Sequence, residues 1–130
     1  MLKKIERFKR LATLRKRDIS KEIVNSNLIE NEIIKNQNLI TQINTIMDNG
    51  RAEKSDKIIS SGYFKNNAQL LNTLQNQKNI ADNRNKHLLN EKKNIQQKII
   101  INNIKKNKAE DKTSEYKKQY RNELEKRNSL

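Results

Sequence analysis

The chain has 130 residues, 34% charged and only 32% hydrophobic, with two glycines and no proline, cysteine or tryptophan. Globular domains carry about 45–50% apolar residues and about 12% Gly plus Pro, so this composition excludes a compact core of many elements. Disulfides and thiolate metal sites are excluded with the missing cysteines. The net charge is +14, and its densest block comes first: residues 1–17 hold eight Lys/Arg against Glu6 alone, while residues 18–49 are acidic on balance.

No stretch approaches the ~20 apolar residues of a membrane span. The leading MLKKIERFKRLATLRKR is broken by charge too often for the apolar run of a secretory signal. The expected setting is cytoplasmic.

The first predicted element repeats every seven residues. Ile5, Ala12, Ile19, Ser26, Ile33, Ile40 and Met47 form one seam, and Phe8, Arg15, Glu22, Ile29, Asn36 and Ile43 form a companion three residues on. That spacing predicts a coiled-coil helix with an imperfect seam, over about 2–48 and roughly 70 Å long at 1.5 Å per residue. Leu11, Leu14, Ile23, Leu28 and Leu39 are expected to widen its apolar stripe. Asp48-Asn49-Gly50 reads as a stop, because glycine takes positive φ at a helix C-cap without steric cost. Residues 49–61 are then a connector, with Ser60, Ser61 and Gly62 able to cap a second helix.

That second element carries Leu74, Ala81, Leu88, Ile95, Asn102, Ala109 and Tyr116 on one seam. Its companion runs from Phe64 and Leu71 to Ile99 and Tyr120, with Lys78, Asn85, Lys92, Lys106 and Thr113 between them. The helix is predicted over about 62–128, roughly 100 Å. Two unequal helices joined by one short break make an all-α antiparallel coiled-coil hairpin, a single domain over 1–130 with both termini at one end. Such a pair buries little, and its 21 asparagines are poor helix formers. Marginal stability is expected in isolation.

Nothing in the sequence carries catalysis. His87 is the only histidine, so two-His zinc motifs are impossible. The two glycines lie twelve residues apart and form no phosphate loop. Glu30/Glu32 and Glu123/Glu125 are two apart on helices and diverge. A non-enzyme without cofactor or metal is expected.

Binding remains. Arg7, Lys9, Arg10, Arg15 and Arg17 at one end of the chain and Lys118, Arg121 and Arg127 at the other would share a basic tip in the hairpin, where Lys3, Arg7 and Arg10, four and three apart, form one basic ridge. An acidic protein surface suits it through electrostatic steering. Nucleic acid is the alternative, since Lys/Arg neutralise phosphates, but no aromatic set accompanies the cations and no DNA-binding motif order appears. An anionic membrane is a weaker option, with Leu2, Ile5, Phe8 and Leu11 as its apolar face. The connector end differs: Ile43, Met47, Tyr63, Phe64, Leu70 and Leu71 either close the hairpin or form a docking knob, since Met and aromatics favour interface cores.

A basic amphipathic first helix, a break at Asn44 to Gly50, Tyr63-Phe64 opening a longer helix and the closing EYKKQYRNELEKR resemble the FliJ/YscO stalk proteins of type III secretion systems. Length and basicity look more like the virulence-associated branch than the flagellar one. The resemblance implies an antiparallel coiled coil similar to the γ stalk of rotary ATPases. It also implies insertion into a hexameric secretion ATPase, coupling to an export-gate membrane protein, and contact with secretion chaperones. By the same resemblance the basic terminal residues face acidic residues of the ring, and Ile43, Met47, Tyr63, Phe64 and Leu71 lie toward the export gate.

Overall fold

A computed structural model describes the backbone of residues 1–53 and 61–129, and the side chains of 1–50 and 66–129. Two α-helices account for it, α1 (Leu2–Glu53) and α2 (Ser61–Asn128), and the fold is an all-α helical hairpin. No helix is long and apolar enough to cross a membrane among the described residues.

The chain divides into two units. The first pairs Met1–Asn27 with Lys93–Leu130. Its two helical segments run antiparallel: Phe8 meets Tyr116, Lys16 meets Glu110 and Arg15 meets Asn102. Ile5, Ala12 and Ala109 are buried there. Thr113 is buried with them, and its hydroxyl donates to the Ala109 carbonyl one turn back at 2.9 Å, which removes the cost of an unpaired donor.

The second unit is Leu28–Lys92. Asn36 lies against Ala81 and Glu32 against Arg84, again antiparallel. Its core cluster is Ile43, Met47 and Leu74, with Leu71 packed on it; Ile33, Ala81 and Leu88 are also buried. Lys92, at a seam position, stays half-buried and reaches Glu30 with its ammonium, an example of a long stem covering apolar surface while its charge is paired.

Every described residue of the four heptad series is buried or half-buried, including Arg15, Glu22, Ser26 and Lys78. The expected widening of the stripe does not occur: Leu11, Leu14, Ile23, Leu28 and Leu39 are all exposed. A helix with one partner covers only its a and d positions, and these five lie outside them.

The expected stop at Gly50 is corrected as well. α1 continues through Gly50 to Glu53, and no glycine among the described residues has positive φ. The remainder of the expected connector lies outside the described residues. Gly50 therefore carries the entropic cost of a mid-helix glycine without using its freedom. A Cβ there would sit 3.8 Å from Asn67 Oδ1 and 3.9 Å from Leu71 Cδ2, ordinary packing distances. Gly50→Ala should raise stability by about 0.5–1 kcal/mol, seen as a higher thermal midpoint by circular dichroism.

Candidate functional site

The basic residues predicted for the terminal end all fall in the first unit, but not on equal terms. Arg7, Lys9, Arg10 and Arg17 on α1 are exposed, as are Lys118, Arg121 and Arg127 on α2. Arg15 is partly engaged within the helix pair. It occupies a seam position, half-buried, where Nη1 donates to Asn102 Oδ1 at 3.2 Å and lies 3.8 Å from Asp18 Oδ2. The seam needs that hydrogen bond, because Asn102 on the facing helix is also partly buried and an unmet amide there is costly.

The exposed cations of α1 form a stripe that the sequence reading resolved only in part. Lys3, Arg7, Arg10, Leu14, Arg17 and Lys21 recur at alternating spacings of four and three, which puts them on one helix face. All six are exposed. Among the described residues none of the five cations makes an ion pair. A shallow groove of about 500 Å³ opens along the stripe, lined by Leu2, Lys3, Arg7, Arg10, Leu11 and Leu14 together with Glu6. By contrast, the α2 cations Lys118, Arg121 and Arg127 alternate along the chain with Glu115, Glu123 and Glu125. The α1 face is the purer positive surface.

Ile5 and Phe8 do not belong to an outward apolar face. Ile5 is buried, and the Phe8 ring stacks on Tyr116 with centroids 5.6 Å apart and planes 19° from parallel. Lys4 Nζ lies 5.3 Å from the centroid of the same Tyr116 ring, a cation–π distance. These aromatics lock the helices together and are half-buried.

At the other predicted surface, Ile43 and Met47 are buried and Leu71 packs beside them on Leu74. Their apolar area packs within the helix pair, while Leu70 beside them is exposed. Tyr63 and Phe64 lie outside the residues whose side chains are described. His87 is exposed, with Nε2 3.0 Å from Glu91 Oε1 one turn on. Among the described residues no group of three or more His, Asp or Glu converges on a metal-sized site.

No family model, curated protein or solved structure matches this chain.

Proposed function

We propose that this chain is a non-catalytic central stalk of a type III secretion system, of the FliJ/YscO kind. Its terminal end enters the hexameric secretion ATPase, and its connector end lies toward the export gate. The observation that supports this reading is the unpaired basic stripe on an antiparallel helix pair. A cationic face on one helix of the pair suits an acidic ring lining. A single asymmetric element cannot touch six subunits alike, so it favours different nucleotide states in different subunits and couples them by population shift. The setting is the cytoplasmic side of the inner membrane, with secretion chaperones as further partners.

The test is ATP turnover by the cognate hexamer titrated with the purified chain at fixed salt. Stimulation should saturate near one chain per hexamer. Charge reversal of Arg10, Arg17 and Arg121 together should weaken it roughly tenfold with helix content unchanged by circular dichroism. No stimulation by the wild type, with binding to duplex DNA at the same salt, would replace the stalk with a small basic coiled-coil protein that binds nucleic acid.

A further inference from the structure

We infer that the stripe along the first turns of α1 is a docking surface for an anionic lipid bilayer. This use of the stripe belongs to the chain outside the ATPase ring, since one face cannot meet a ring lining and a bilayer at once, and it does not rest on the stalk reading. From Lys3 to Lys21 the stripe covers about 27 Å of helix, five turns on one face. Five of its six residues are cations, Leu14 sits among them, and Leu2 and Leu11 flank them at 58% and 38% exposure. Clustered Lys/Arg on a helix face are drawn to anionic headgroups. Long cationic side chains reach up to the headgroups while neighbouring leucines dip below them. Glu6 is the one acidic residue of the groove.

The same features disfavour other occupants. A partner helix needs an apolar seam to bury, and a stripe with one leucine among five cations supplies none. Nucleic acid gains nothing from the exposed leucines. Of the aromatics in this unit, Phe8 and Tyr116 are stacked on each other and Tyr120 is half-buried.

The test is cosedimentation of the full chain with phosphatidylcholine vesicles, with and without phosphatidylglycerol, at equal salt. Binding is expected only to the anionic vesicles. Each cation at such a surface contributes about fivefold to partitioning, so Arg7→Gln, Arg10→Gln and Arg17→Gln combined should lose on the order of 100-fold. Leu11→Ser with Leu14→Ser should lose about tenfold, since both leucines leave water only on the bilayer. All these positions are exposed, and circular dichroism checks that helix content is kept. Equal binding to neutral vesicles would overturn the proposal. So would undiminished binding of the leucine variant, which would mean charge adsorption without insertion. Tighter binding to duplex DNA than to the anionic vesicles at the same salt would assign the stripe to nucleic acid.

Discussion

Ile43→Ala should cost about 2–4 kcal/mol of stability, among the largest effects expected of a single truncation among the described residues. Ile43 is 3% exposed and packs with Met47 and Leu74. Removing three carbons leaves a gap that neighbours on two stiff helices cannot close, so the lost transfer energy and the cavity add. No large side chain among the described residues is below 2% exposure, which places the loss toward the lower end of that range. It is still severe where so little apolar surface is buried overall. Thermal unfolding followed by circular dichroism should show the midpoint fall. Ile80→Ala, at 67% exposure, should change stability by no more than about 0.5 kcal/mol. Equal shifts in the two variants would mean that the cluster around Ile43 is not a core.

The second large effect is a gain. Asn85 holds a seam position, and its Oδ1 is buried without a hydrogen-bond partner among the described residues. Leaving such a group unmet costs about 1–3 kcal/mol. Asn85→Leu removes that cost and adds apolar surface to the seam, so stability should rise by about 1–3 kcal/mol. Asn36 makes the informative comparison. It is buried at 8% exposure, but its Nδ2 donates to the Ala81 carbonyl on the facing helix at 2.7 Å. Asn36→Leu should gain less, because a hydrogen bond is lost with the amide. It should also loosen the register, which a single paired seam asparagine helps to specify. Chemical denaturation of the two variants side by side gives the ranking. A larger gain from Asn36→Leu would show that the Ala81 hydrogen bond contributes nothing net.

The heptad beat was legible from residue types alone, polar members included, because a two-helix pair has one seam and a seven-residue period keeps it in view. Arg15 shows where such reading divides. Its position assigned it to the seam, while its charge assigned it to the basic tip. Position decided, since a guanidinium is long enough to sit in the seam and find Asn102. Leu11, Leu14 and Leu39 failed in the opposite sense. Hydrophobicity alone suggested burial, but with only one partner helix their faces meet water. Gly50 was misread because glycine can end a helix or simply lie in one, and composition does not tell these apart. The stripe from Lys3 to Lys21 was seen only as far as its first cations, since attention to the seam hides a second series on the opposite side.

The stripe and the seam share one spacing, and this constrains how the chain can change in length. A pattern repeating every 3.6 residues would drift by about 20° per heptad around a coiled coil. The cations of α1 recur instead on the seam's own seven-residue period, so they keep to one side of the helix pair. Losing or gaining one residue between Lys3 and Lys21 would swing everything beyond it by about 100°, carrying cations into the seam and isoleucines into water. Losing or gaining seven would leave both patterns intact. For this segment, length is counted in heptads: removal of one or two residues should break the helix pair, whereas removal of seven from α1 matched by seven from the facing stretch of α2 should leave it paired.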